Sequence, residues 1–141
     1  MCIICCSEFI KGYNSGQKIT ATSLSEKFNL NIRTLNPSLN KMTHAGILRS
    51  QVGGVDRGYI FARDPKDISV YEIVAAVQDL GNLKNCKEAV DGASCFFSNC
   101  DSCKLYMTNN AIMNYARSLY NDLSIYDLFT CDKDRINELL G

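Results

Sequence analysis

From Thr20 to Arg63 the spacing of apolar residues changes once, from helical to alternating, and that order of elements narrows the fold sharply. The stretch ATSLSEKF puts Leu24 and Phe28 on one face behind a Thr/Ser start. Asn29 to Asn31 read as a turn, and Leu35, Leu39 and Met42 recur at i, i+4, i+7 on a second helix. Ala45-Gly46 stops that helix. ILRSQV and YIFARD, rich in β-branched and aromatic residues, then flank the turn GGVDRG, a hairpin signal with Asp56-Arg57 at its tip. Two short helices joined by a tight turn and followed by a hairpin describe a winged helix-turn-helix.

The second helix of such a unit is the one a major groove admits. Between its buried positions it presents Arg33, Thr34, Asn36, Asn40, Lys41 and His44, and Arg and Asn are the side chains that make bidentate contacts with guanine and adenine edges. Arg49 and Arg57 in the hairpin are placed to touch phosphates or a minor groove. Thr22 and Ser23 at the start of the first helix, with Asn31 in the turn, complete the candidate DNA-contacting set. The competing reading of the second helix alone is a plain solvated face.

The flanking segments are helical. In residues 2 to 13, Cys2, Cys5, Cys6, Phe9 and Tyr13 follow a one-faced helical pattern that Gly12 and the segment NSGQ are expected to end, so these three cysteines read as core hydrophobes. Ser69 and Glu72 form a capping box before Val70, Ile73, Val74 and Val77, a helix expected to end at Gly81. Residues 82 to 102 read as a loop, long enough to need ordering or a function. From about Cys103 to Leu123 a stripe of Ile112, Tyr115, Ala116, Leu119, Tyr120 and Leu123 exceeds what a small core needs, and its expected use is dimerisation. Ser124 and Asp127 cap a short helix beyond it, and DKDRINELLG closes with another turn or two. The fold class is therefore mainly α with a small β-hairpin wing, a winged helix-turn-helix plus a long C-terminal dimerisation helix. The expected division is 1–80 for the DNA-binding part, 81–103 for a cysteine-rich sensor loop and 104–141 for the dimerisation helix and tail.

Composition limits function further. At 46% hydrophobic residues with two prolines the chain is not disordered. No apolar run approaches the roughly 18 residues of a membrane span, and MCIICC lacks the basic flank of a signal peptide, so a cytoplasmic place and no membrane partner are expected. The net charge is zero, yet residues 1–66 hold nine Lys/Arg against four Asp/Glu, while the remainder is acidic by the same margin. A polyanion would bind the front. The chain is not read as an enzyme, nor as taking a small-molecule substrate: His44 is the lone histidine, and Cys100-x-x-Cys103 lacks the preceding strand of a redox βαβ unit.

Four of the eight cysteines, Cys86, Cys95, Cys100 and Cys103, fall within 18 residues. Iron–sulfur clusters and structural zinc both take four soft ligands, and Cys100-x-x-Cys103 supplies half a site at small loop-closure cost. Lys84, Lys87 and Lys104 flank the thiols and would offset the negative charge of a thiolate-bound cluster. An iron–sulfur cluster, zinc, a disulfide switch and reduced cysteines without metal all remain open readings.

The stretches LSEKFNLNIRTLNPSLNKMTHAGILRS, GGVDRGYIFARDPKDISVYEIV and CKLYMTNNAIMNYARSLYNDLSIYDLF together resemble the Rrf-two family of bacterial winged-helix regulators, over most of the chain from Lys18 to Thr130. The resemblance implies a homodimeric regulator of double-stranded DNA, with the front docking on DNA and the long helix pairing subunits. It also implies three cluster ligands between the post-wing helix and the dimer helix. Cys86 resembles the first and Cys103 the last, the middle being Cys95 or Cys100; four thiols could instead form an all-cysteine site. Three features depart from the family pattern. The first helix is expected to begin almost at Met1, so the N-terminal arm that supplies a further cluster ligand in some members is expected to be missing. Val52 stands where the wing usually has an arginine, with Arg57 as its substitute. Pro37 falls inside the second helix, where it removes a backbone hydrogen bond unless the helix starts late, with Asn36 as N-cap. These departures also support an alternative class, a degenerate winged-helix interaction module with a structural zinc or free thiols and no specific DNA binding.

Overall fold

The computed structural model describes residues 2–51, 58–77 and 103–140, with the side chains of 139 and 140 left aside. Its helices are α1 (Cys2–Ser15), α2 (Ala21–Phe28), α3 (Ile32–His44), α4 (Val70–Val77), α5 (Lys104–Asp122), α6 (Ile125–Thr130) and α7 (Lys133–Leu140). Strands β1 (Leu48–Gln51) and β2 (Gly58–Phe61) pair antiparallel, Leu48 opposite Phe61 and Gln51 opposite Gly58. The architecture is mainly helical with a two-stranded hairpin, as the order of patterns predicts.

Local chemistry explains where the elements begin and stop. Thr20 caps α2 by accepting from the Ser23 N–H at 3.0 Å, and Asn29 ends it in the left-handed region at φ 51°. Two residues later Asn31 caps α3 by accepting from the Arg33 N–H at 2.9 Å. Helix α3 ends in a Schellman motif: Ile47 N–H reaches Met42 O and Gly46 N–H reaches Thr43 O, with Gly46 at φ +71°. The capping box of α4 forms reciprocally, Ser69 N–H to Glu72 Oε2 at 2.9 Å and Glu72 N–H to Ser69 Oγ at 3.2 Å. Ser124 caps α6 through the Asp127 N–H.

One expectation is corrected in part, and one alternative is decided. Helix α1 ends within NSGQ, as expected, but not at Gly12: it runs on to Ser15 and closes with Gly16 at φ +69° and a Gln17 N–H to Gly12 O bond. Gly12 instead lets the returning chain pass close, since a Cβ there would stand 2.5 Å from Gln17 O. Helix α3 follows the Asn29–Asn31 turn directly, as expected, and the later start at Asn36 is not taken. It is capped at Asn31 and runs through Pro37, whose missing N–H leaves the Arg33 carbonyl without its helical donor, a substitution that costs about 3 kcal/mol in a helix interior. The expected helix end at Gly81 lies outside the described residues.

The core gathers one face of every early element. Cys2, Cys5, Cys6 and Phe9 of α1, Leu24 of α2, Leu35, Leu39 and Met42 of α3, Phe61 of β2 and Ile73 of α4 are all buried. Phe9 and Phe61 meet edge-to-face at 5.8 Å. A third strand-like contact closes the hairpin: Ile19 and Tyr59 exchange both backbone hydrogen bonds, at 3.0 and 2.8 Å. Gly58 permits that approach, because a Cβ there would lie 2.8 Å from Lys18 Cβ. The tail returns to the same core. Val70 N–H bonds Leu123 O and Ile125 N–H bonds Ile68 O, so Ile125 is fully buried beside Ile68.

Candidate nucleic-acid interface and cysteine segment

Burying Leu35, Leu39 and Met42 turns the opposite side of α3 outward. Arg33, Thr34, Asn36, Asn40, Lys41 and His44 are all exposed there, together with Asn31 at the cap. Thr22 and Ser23 are exposed in the first turn of α2, where Ser23 Oγ also donates to Thr20 O. Arg49 is exposed on β1 opposite Ile60. Arg57 lies outside the described residues.

The basic residues of the front half divide by partner. Glu8 accepts from both Lys11 at 2.8 Å and Lys27 at 2.6 Å, and those two hydrogen bonds hold its carboxyl below the ordinary value of 4.5. Arg63 is clamped between Glu72 and the Asp67 carbonyl. Burial pushes the Glu72 carboxyl up, but Arg63 and the Ser69 N–H outweigh it and leave the group below its ordinary value. Lys66 sits over the Tyr126 ring at 5.0 Å. Arg33, Lys41 and Arg49 make no ion pair among the described residues, which leaves their charge available to a polyanion. Lys41 does reach sideways: its Nζ lies 3.5 Å from the Val77 carbonyl at the end of α4, over a recess it shares with His44, Ala45, Ala75 and Ala76.

Of the four clustered cysteines, Cys86, Cys95 and Cys100 lie outside the described residues. Cys103 is the N-cap of α5, half-buried, free, and without a side-chain capping hydrogen bond. Its place three residues after Cys100 makes Cys103 a candidate metal or cluster ligand. No group of three or more metal-ligating side chains gathers among the described residues. The first-helix thiols are unsuited to that role: burial, then the nearby Cys2, pushes Cys5 up to about 11, and burial raises Cys6 further. Cys131 is raised as well, by desolvation and by its contact with Asp127.

The expected dimer residues split into two groups. Leu123 is buried in the chain's own core, and Ala116 and Leu119 are half-buried. Ile112 at 60% exposure, Tyr115 at 62% and Tyr120 project outward, joined by Leu105 and Met107, which the stripe read from the sequence leaves out. Leu105, seven residues before Ile112, continues the same row, whereas Met107 projects about 140° round the helix from Ile112. Pro37 is also missed as an outward-facing residue, because it draws attention first as a helix breaker.

A two-helix unit with a capped outward helix, a hairpin beside it and a further helix packed behind defines a winged helix-turn-helix of the kind that binds DNA. Residues 6–130 match the family model described as "Rrf2: Iron-dependent Transcriptional regulator", and the chain belongs to that family of transcriptional regulators. Among solved structures it is similar to IscR of T. potens, with a TM-score of 0.66 and 17% identity over 91% of this chain and 80% of that one. It is also similar to CymR (YrzC), the global cysteine regulator of B. subtilis, with a TM-score of 0.59 and 14% identity over 89% and 88% of the two chains. A third similar structure is a putative transcriptional regulator from Listeria innocua, with a TM-score of 0.63 and 19% identity over 90% and 79%. A search of curated protein sequences gives no significant match. At these identities the structures speak for the fold. Members of the family are DNA-binding regulators rather than enzymes, and no helix among the described residues is long and apolar enough to cross a membrane.

Proposed function

We propose that the chain is a homodimeric, DNA-binding regulator whose hold on duplex DNA follows the state of the thiols between α4 and α5. The observation that carries this reading is the order of packing: α3 lies against α4 and α4 against α5. The cysteine segment leaves the chain at the end of α4 and rejoins it at Cys103, so its two ends belong to the two helices stacked behind the DNA-facing one. Lys41 of α3 reaching the Val77 carbonyl supports the same route from thiols to groove.

An iron–sulfur cluster suits this role, as the family description and the likeness to IscR suggest, and a thiol switch suits it as the likeness to CymR suggests. A bound cluster would supply a redox-labile tie among the cysteines. Cys103 would hold one corner of it, with Cys86 and one or both of Cys95 and Cys100 completing the set. Tying or freeing that segment would alter how the outward helices of two copies sit against half-sites about 34 Å apart, and a coupling of about 1–3 kcal/mol is enough for regulation.

Protein purified without oxygen provides the test. Visible absorbance, bound iron and sulfide, and loss of colour in Cys103→Ser are expected, while metal analysis distinguishes zinc. Affinity for a random-sequence duplex should fall steeply between 50 and 200 mM salt, on the order of a thousandfold if six phosphates are engaged. It should also differ about tenfold or more between metal-loaded or reduced protein and stripped or oxidised protein. Colourless, metal-free protein removes the cluster and leaves the thiol switch; equal affinity in every state removes the control altogether. Absence of duplex binding at low salt would favour the interaction module.

A further inference from the structure

We propose that Pro37 is a base-reading residue, the apolar centre of the groove-facing side of α3, and that each half-site carries a thymine methyl against it between the positions met by Arg33 and Asn40. The inference rests on reading α3 as the groove-facing helix. Leu35, Leu39 and Met42 are fully buried and fix the core direction of α3. At about 100° per residue, Pro37 projects within about 20° of the direction opposite to their mean, and Arg33, Asn40 and His44 within about 50° of it. All four are exposed. A rise of about 1.5 Å per residue sets Pro37 about 6 Å beyond Arg33 and about 4.5 Å before Asn40. With base pairs about 3.4 Å apart, the three side chains address neighbouring pairs.

Folding alone gives Pro37 no purpose. It occupies the interior of a helix that Asn31 already caps, deprives the Arg33 carbonyl of its donor, and gains no burial in return. What it contributes outward is a rigid apolar ring with no hydrogen-bonding group. The major groove offers such a ring one matching feature, the C5-methyl of thymine. Any other base edge pressed against it would lose water without gaining a partner. Arg33 on one side is suited to guanine and Asn40 on the other to adenine, so the half-site has a polar–apolar–polar order.

Selection from a library of randomised duplexes yields the preferred site with no operator sequence assumed. That site is then made with each thymine replaced in turn by deoxyuridine, which removes the methyl and nothing else. One thymine per half-site, flanked within two pairs by the guanine and the adenine, should show a three- to fivefold loss of affinity, about the worth of one buried methyl. Pro37→Gln, a good helix former, should abolish that loss while leaving the slope of log affinity against log salt unchanged. Pro37→Ala should keep part of it. The idea fails if no thymine shows methyl dependence or if Pro37→Gln retains it in full. A library that enriches no duplex at any salt would sink this inference and the DNA-binding reading together, whereas a selected site indifferent to its methyls would sink only the role of Pro37.

Discussion

The three thiols of α1 behave physically as small hydrophobes. Cys2, Cys5 and Cys6 sit on the face of α1 that packs into the core, and Cys5 and Cys6 are wholly buried. With its pKa pushed up to about 11, Cys5 is roughly one part in a thousand thiolate at pH 8. Alkylation with iodoacetamide at that pH, followed by peptide mass mapping, should therefore spare Cys5 and Cys6 in native protein and label both in urea. Cys5→Ala should cost about 1 kcal/mol for the lost sulfur and small cavity, read from urea unfolding. Cys5→Ser should cost about 1–3 kcal/mol, because it buries a hydroxyl in an apolar setting. Neither should change the metal content or its effect on DNA affinity. Loss of colour in Cys5→Ala would instead make this residue a ligand.

At the scale of elements, the joints are held by carboxylates at helix starts and between helices. Glu72 closes the α4 capping box and receives Arg63; Asp127 does the equivalent at α6, held below its ordinary value by Ser124 against a smaller effect of burial; Glu8 ties α1 to Lys27 of α2. All three are ionised more readily folded than unfolded. Their stabilisation is full above the unfolded values of 4.5 for Glu and 3.8 for Asp, and is lost as pH falls below these through the lower folded values. Thermal unfolding between pH 6 and pH 3 should show Tm declining below about pH 4.5, and Glu8→Gln should flatten part of that decline. An unchanged profile in that variant would show that Glu8 does not couple the two helices. These caps were legible in the sequence because each needs only a few adjacent residues: Ser69 with Glu72, Ser124 with Asp127, Asn29, Gly46. The Ile19 bridge to Tyr59 was not, since one paired residue has no period. Gly12 misled because a glycine needed for close approach looks the same as one that ends a helix. The start of α3 was ambiguous between Asn31 and Asn36, and packing of Leu35 decided for the earlier cap. For the candidate site, periodicity showed which way α3 faces, but not which of the front half's cations are already paired, because Glu8 meets Lys27 across 19 residues.

Among the described residues one helix is left with little packing. Helix α5 spans 19 residues, about 28 Å, and none of its side chains is buried; Tyr106, Asn110, Met113, Ala116 and Leu119 are half-covered on the inward side. Most of a helix's stability in a protein comes from packing its apolar face, and α5 gains little of that from the other described residues. Outward it presents Leu105, Ile112, Tyr115 and Tyr120 within about 140° of one face, with only Lys104, Arg117 and Asp122 as charged residues along its length. Two copies laid side by side would bury the apolar row with little charge repulsion, which supports a second copy of this chain as the partner. The double substitution Ile112→Glu with Tyr115→Glu puts two charges at the centre of that row. Sedimentation should then report a dimer for the parent and a monomer for the variant at micromolar concentration, with weaker helical circular dichroism as α5 frays. The head should stay folded, because the buried residues its core takes from the tail are Leu123 and Ile125, and neither is altered. Affinity for a single half-site should change less than twofold, while the advantage of a paired site should vanish, because two heads spaced for one turn of duplex act as a unit only while α5 joins them. A monomeric parent, or a variant that remains dimeric, would place the subunit contact elsewhere and separate the α5 surface from DNA recognition.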